Sequence, residues 1–386
     1  MGEWIGIGRK ARRAYGFDEI ALVPGTVTVN PEEVDIGFTI DGTLFPIPFL
    51  ASAMDGVVDP HFAIKMGKLG GIAVLNLEGL YTRYEDYSSI LEDISRVSSV
   101  QATELVQKLY TQPIKEDLVS KRVQQIKQGG VPAVVSTIPQ HAERFGAIAQ
   151  EAGCDIFVIQ STVTTVRHLA KTYKAVDLEG ICKRMNVPVI IGNSVTYDVA
   201  IELMGIGAHG LLIGIGPGSA CTTRGVLGLG VPQVTSICDS MAAREAYFKK
   251  SKRYVPIIAD GGMSTGGDVC KAFACGADAV MIGSAFARAK EAPGRGFHWG
   301  MATPHANLPR GTRIHVGTTG SLGEILFGPA RLDDGTQNLV GAVRTCMGNV
   351  GAKTIKEFQK TEIIIAPAIR TEGKLFQAAQ HVGMMK

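Results

Sequence analysis

Eight short apolar runs recur along the chain, and their alternation with helix-like stretches narrows the choice of fold more than any other feature. They are Ile47–Ser52, Gly71–Leu75, Ala133–Thr137, Asp155–Gln160, Pro188–Gly192, Gly210–Gly214, Pro256–Ala259 and Ala279–Gly283. The runs are continuous rather than alternating, so they fit strands covered on both faces, and the intervening helical segments call for a parallel sheet. Eight such units predict a (β/α)8 TIM barrel, which needs about 250 residues. The 386 residues of the chain leave room for an N-terminal arm and inserts within one barrel domain spanning 1–386. A doubly wound open sheet is the alternative, disfavoured because no G-x-G-x-x-G opens an early helix.

Two segments fall outside the pattern. Residues 78–130, between the second and third runs, are too long for a bare crossover; Ser88–Val97, Thr103–Tyr110 and Lys115–Gln128 have helical periodicity and predict a helical insert. Residues 299–338 are rich in Gly, Thr and Pro with little periodicity, which predicts a mobile flap near the C-terminal face.

Barrel chemistry sits at the C-terminal ends of the strands, so the tips of the runs inventory the site. They are Met54-Asp55, Asn76, Thr137, Gln160-Ser161, Asn193, the loop from Gly214 to Thr223, Asp260-Gly261-Gly262 and Gly283-Ser284. Singly, Asp260-Gly261-Gly262 fits a turn and Ser284 a helix N-cap. Jointly, the last two tips occupy the corner where barrels commonly hold a phosphate with backbone N–H groups and a serine hydroxyl. The residues therefore point to a phosphorylated small ligand, its phosphate near Gly262, Gly283, Ser284 and Ser219 and its sugar hydroxyls at Asp260.

At the other end stands Cys221, in Gly214-Ile-Gly-Pro-Gly-Ser-Ala-Cys-Thr-Thr-Arg224. A glycine-dense loop can turn its N–H groups inward and stabilise a thiolate, although a lone Gly-x-Gly before a cysteine also fits a tight turn. The cysteines number seven, an odd count with no C-x-x-C pair, which points away from a disulfide framework or a zinc site. A net charge of +3 argues against nucleic acid as partner, and the basic cluster Arg9-Lys10-Ala-Arg12-Arg13 reads as a solvated arm or subunit contact. With no apolar h-region at the N-terminus and no run of about 18 apolar residues, the expected location is cytoplasmic, with no membrane partner.

The loop from Gly214 to Arg224 resembles the catalytic loop of the IMP dehydrogenase and GMP reductase family. Phe17-Asp-Glu-Ile-Ala-Leu-Val-Pro24, Ile47-Pro-Phe-Leu-Ala-Ser-Ala-Met-Asp55, Gly70-Gly-Ile-Ala-Val74, Gly192-Asn193, Ala259-Asp-Gly-Gly262, Met281-Ile-Gly-Ser284, Gly300-Met301 and Gly341-Ala-Val-Arg-Thr345 resemble its other motifs, in order. The 53 residues of 78–130 hold less than half of the paired CBS modules many members insert there, so the chain resembles a branch lacking them. The resemblance implies oxidation of the purine nucleotide monophosphate IMP to XMP in guanine nucleotide biosynthesis, with NAD as acceptor. Cys221 would attack C2 of the purine, and Thr223 would handle the hydrolytic water. It further implies nucleotide contacts from Ser52, Met54, Ser219, Asp260, Gly262, Gly283, Ser284, Gly300 and Met301, and a cofactor side of Gln160, Ser161, Asn193 and Gly214. A potassium ion on the carbonyls of Gly216, Gly218 and Cys221, and a homotetramer or homo-octamer, complete what it implies.

The chain departs from the family at several points. Gln160 stands where an aspartate is usual, Leu212 where many bacterial members have lysine or arginine, and His298-Trp299 where a tyrosine is expected before Gly300-Met301. The flap lacks the family's Arg-Tyr pair and places Arg310 where a glutamate would be. A guanidinium cannot accept threonine's proton as a carboxylate can, but it can orient water. The resemblance therefore implies a dehydrogenase with Cys221, Thr223 and Arg310 as catalytic residues. NADPH-dependent GMP reduction is the nearest alternative, followed by a non-turnover nucleotide sensor and an FMN-dependent barrel oxidoreductase.

Overall fold

A computed structural model of the chain describes residues 2–169, 175–301 and 312–385. The apolar runs form eight parallel strands closed into a barrel: β1 (Phe49–Ala51), β2 (Ile72–Asn76), β3 (Val134–Thr137), β4 (Ile156–Gln160), β5 (Val189–Ser194), β6 (Gly210–Ile213), β7 (Ile257–Asp260) and β8 (Ala279–Ile282). Closure occurs at β1, where Leu50 pairs with Met281 of β8 on one side and Ile72 of β2 on the other. The predicted (β/α)8 barrel is the observed fold.

Side chains alternate between two cores because successive residues of a strand face opposite ways. Leu50, Val74, Val134, Val158, Ile190, Leu212, Ile258 and Met281 fill the barrel interior. Phe38, Ile40 and Phe45, from the hairpin Phe38–Ile40/Thr43–Phe45, belong to the same cluster. Leu212 is thus an interior packing residue. Gly192 lies so close that a Cβ there would sit 2.5 Å from the Leu212 Cβ.

The outer core lies between the strands and the helices α1 (Pro60–Lys68), α2 (Glu116–Gln128), α3 (Ala142–Glu151), α4 (Leu178–Arg184), α5 (Tyr197–Gly205), α6 (Gln233–Ser251), α7 (Gly266–Ala274) and α8 (Leu339–Asn349). Local sequence sets several helix starts. Asp59 accepts the Phe62 N–H at 2.7 Å, and Thr265 with Asp268 forms a reciprocal capping box at α7, immediately after the β7 tip. Two further helices, Ser88–Arg96 and Ser99–Leu109, precede α2 between β2 and β3.

Arg12 of the basic cluster pairs with Asp239 of α6 through both carboxylate oxygens, at 3.1 and 2.6 Å. Residues 312–338 are more regular than their composition suggests. Arg313–His315 pairs with Phe297–Trp299, and a Ser321/Glu324 capping box starts the helix Leu322–Phe327. Six residues make fewer than two helical turns, too few for periodicity to register in the sequence. Among the described residues no helix is long and apolar enough to cross a membrane.

Candidate active site

The C-terminal tips of β6, β7 and β8 meet around the loop that carries Cys221. Gly214 follows β6 with φ of 146°, and a Cβ there would lie 2.3 Å from the Asp260 carbonyl oxygen, so only glycine allows the approach. Pro217 rests on the β7 tip: a Cβ on Gly262 would lie 3.0 Å from Pro217 Cβ. Beneath Gly216 runs the Arg224 side chain, whose guanidinium donates to the Val231 carbonyl at 3.0 Å. The loop is therefore clamped from two sides.

Cys221 is the one cysteine that is exposed; the other six are buried or half-buried. Its thiol donates to Thr223 Oγ1 at 3.2 Å, and Thr223 is itself buried. Among the described residues Thr223 Oγ1 has no carboxylate hydrogen-bond partner. Cys221 N–H donates to Gly218 O at 3.0 Å, which leaves that carbonyl one further lone pair.

On one side of Cys221 the residues expected to hold a phosphate come together. Ser219 Oγ and Ser284 Oγ are 2.6 Å apart, and Ser284 Oγ lies 3.1 Å from His298 Nε2. Burial pushes the His298 imidazole down to about 4, so it is neutral at pH 7. The corner thus offers neutral donors. His298 joins it, a residue that the sequence shows only as a departure from the family's tyrosine. Ser52 is buried beside the corner, its N–H on the Ile282 carbonyl at 3.0 Å, and Met54 Sδ would be 2.9 Å from a Cβ on Gly283.

On the other side stands Asp260, half-buried, with Gln160 Nε2 donating to Oδ2 at 3.0 Å and Asn193 Nδ2 donating to the same oxygen at 2.8 Å. Asn193 also donates to the Gly214 carbonyl at 2.7 Å, tying β5 to the loop that carries Cys221. Gln233, the first residue of α6, donates to the carbonyls of Ile213 at 2.7 Å and Asp260 at 3.2 Å, a brace that nothing in the sequence announced. Ser161 lies on the lip of β4, its hydroxyl on the Val163 carbonyl at 2.9 Å.

Gly300 and Met301 follow the strand Phe297–Trp299, which the insert braces. Tyr110 donates to Asp55 Oδ2 at 2.5 Å, accepts from Trp299 Nε1 at 3.0 Å and lies 3.4 Å from Met301 Sδ. Arg310, the expected water-activating residue, lies outside the described residues. Arg313 is committed elsewhere: its guanidinium donates to the carbonyls of Ile94 and Val97, the latter at 2.9 Å, and stacks 4.6 Å from the Phe297 ring.

Comparison with known proteins gives the family of the chain. The family model described as IMP dehydrogenase / GMP reductase domain matches residues 14–374. An uncharacterized oxidoreductase of Mycolicibacterium smegmatis is 37% identical over 370 residues, covering 94% of this chain and 99% of that protein. The inosine-5'-monophosphate dehydrogenase of Borreliella burgdorferi is 32% identical over 397 residues, covering 90% and 92%. The crystal structure of an IMP dehydrogenase/GMP reductase-like protein from Corynebacterium glutamicum superposes with a TM-score of 0.88 at 36% identity, covering 94% of this chain and 96% of that one.

Proposed function

The chain belongs to the IMP dehydrogenase / GMP reductase family of oxidoreductases, and from that premise we propose that it oxidises IMP to XMP through a covalent adduct on Cys221. The observation that carries the reading is the exposed Cys221 thiol 3.2 Å from Thr223 Oγ1, between a hydroxyl corner suited to phosphate and a carboxylate suited to ribose. Cys221 adds through sulfur to C2 of the purine, and the hydride leaves C2. NAD, when bound, supplies the acceptor for that hydride. Water then attacks C2, the carbon–sulfur bond breaks, and Cys221 regains its proton. Splitting a hard oxidation into addition and hydrolysis lowers each barrier.

The second amide hydrogen of Gln160 is a donor, and the Ser161 oxygen and Asn193 Oδ1 are acceptors, that suit ribose hydroxyls, so these residues and Gly214 would hold the cofactor side. Gly218 O keeps one lone pair beyond its bond to Cys221 N–H. Carbonyl oxygens are suitable ligands for a hard monovalent cation, and Gly216, Gly218 and Cys221 would supply them to potassium. Dehydrogenation is favoured over reduction because Arg310 stands where a glutamate would work with Thr223, and a guanidinium cannot serve as the proton shuttle that deaminating GMP needs at the leaving amine.

Mixing the purified protein with IMP and NAD should raise absorbance at the reduced-nicotinamide band, while GMP with NADPH should leave it unchanged. Consumption of NADPH with GMP would reassign the chain as a reductase, and nucleotide binding with no reduction of NAD at any enzyme concentration would make it a sensor. Asp260→Ala should weaken IMP binding by roughly 2–4 kcal/mol, the scale of charge-assisted hydrogen bonds to sugar hydroxyls in a desolvated site. Isothermal titration checks this, and an unchanged affinity would move the ribose away from β7.

A further inference from the structure

Two amides converge on one oxygen of Asp260. Gln160 and Asn193 both donate to Oδ2, at 3.0 and 2.8 Å, and no side chain among the described residues takes Oδ1. The two donors come from adjacent strands, β4 and β5, and reach across the barrel mouth to β7. Gln233 fixes the same residue from α6 by holding its backbone carbonyl at 3.2 Å. The carboxylate is thereby fixed at one oxygen and left open at the other.

We propose that Gln160 is a positioning residue for Asp260, holding the carboxylate ionised and rotated so that Oδ1 faces the hydroxyls of the bound nucleotide's ribose. The inference rests on the nucleotide reading of the site. It gives Gln160 a task on the substrate side that does not depend on any cofactor. Two neutral donors on Oδ2 stabilise the charged form, the only form in which both oxygens accept. Burial works against them and raises the Asp260 carboxyl to about 6. Desolvation is the largest cause of that shift, and the Asn193 hydrogen bond opposes it. The groups facing the carboxylate are the Gln160 amide from β4 and the Asn193 amide from β5, with Gln233 at the backbone; no charged side chain contributes to its titration.

Nucleotide affinity should therefore be full above about pH 7 and fall as pH drops through the Asp260 value of about 6. Gln160→Met keeps the side-chain length and removes the donor, so the midpoint should move up by about one pH unit, a tenfold change in proton affinity. In Gln160→Glu a second carboxylate faces the first and one of the pair must take up a proton, so the midpoint should move further in the same direction. IMP binding measured by calorimetry without cofactor at pH 5.5 to 8.5 reads these shifts. The same midpoint in wild type and both variants would overturn the proposal, and it would return Gln160 to a cofactor role if the KM for NAD alone had risen.

A second measurement needs no ligand. A carboxyl whose folded value is raised gives stability that is present below its unfolded value and lost as pH rises through the folded one. Removing the Gln160 donor extends that loss to higher pH. The gap in melting temperature between wild type and Gln160→Met should therefore widen between pH 5 and pH 8. A gap that stays constant would overturn the proposal even if IMP proves not to be the ligand. A widening gap with no IMP binding would instead retain the Gln160–Asp260 pair and discard the nucleotide reading.

Discussion

Replacing Cys221 with alanine should abolish IMP-dependent reduction of NAD, by at least about 10⁴-fold, while leaving IMP affinity within a few-fold. The size follows from the role: without sulfur there is no covalent route, and effects of removing a nucleophile are of this order. Affinity should survive because all the groups assigned to the nucleotide except Ser219 lie on other elements, and Ser219 is held by Ser284 of β8's tip. The Ser219–Ser284 pair is closed at 2.6 Å independently of Cys221, and the Asp260 carboxylate is held by amides from β4 and β5. Thr223 keeps its place because it is buried in the first turn of a short helix. Cys221→Ser refines the test. Serine preserves a donor to Thr223 Oγ1, yet its hydroxyl is a far weaker nucleophile than a thiolate, so it should bind IMP and remain nearly as inactive as alanine. Stopped-flow absorbance with saturating IMP and NAD reads the hydride step, and turnover retained in either variant would remove the covalent mechanism.

The barrel could be read from the sequence because strands covered on both faces are written as uninterrupted apolar runs, and eight of them alternate with helices. The Val134–Thr137 and Val189–Ser194 strands fall where Val, Ile and Ala crowd together, with edges shifted by a residue or two. That Gly283-Ser284 and Gly261-Gly262 would lie at the barrel mouth was legible for a related reason: they stand at strand ends, where a barrel places function. What escaped was whatever depends on residues far apart in sequence. Gln160 and Asp260 are 100 positions apart, and nothing in either neighbourhood states that they touch. Tyr110, in the insert, meets Trp299 across 189 positions, so a segment readable only as helical decoration braces the strand leading to Gly300 and Met301. His298 was legible as a departure but not as a neighbour of Ser284, because pairing of Phe297–Trp299 with Arg313–His315 orients it.

Arg310→Ala should separate the two halves of the reaction. If the Arg310 guanidinium orients the hydrolytic water, the variant still forms the adduct and releases one equivalent of reduced nicotinamide in a fast burst. Steady-state turnover should then fall by about 10²–10⁴, the usual loss on removing a group that activates water. Covalent XMP on Cys221 should accumulate, visible as a mass increase of the intact protein. Hydride transfer precedes the impaired step, so the burst amplitude should stay near one per active site, which distinguishes slow hydrolysis from partial unfolding. The structure narrows the alternatives. Arg313 is committed to the carbonyls of Ile94 and Val97 at the end of the helix Ser88–Arg96 and stacks on Phe297, so withdrawing it would leave those carbonyls without their donor. His315 packs its ring 4.5 Å from the same phenylalanine. Normal turnover without a burst in Arg310→Ala would eliminate the assignment and leave the two histidines of the same sequence segment, His305 and His315, to be tested. Turnover lost together with the burst would instead place Arg310 before hydride transfer, in binding or closure rather than in hydrolysis.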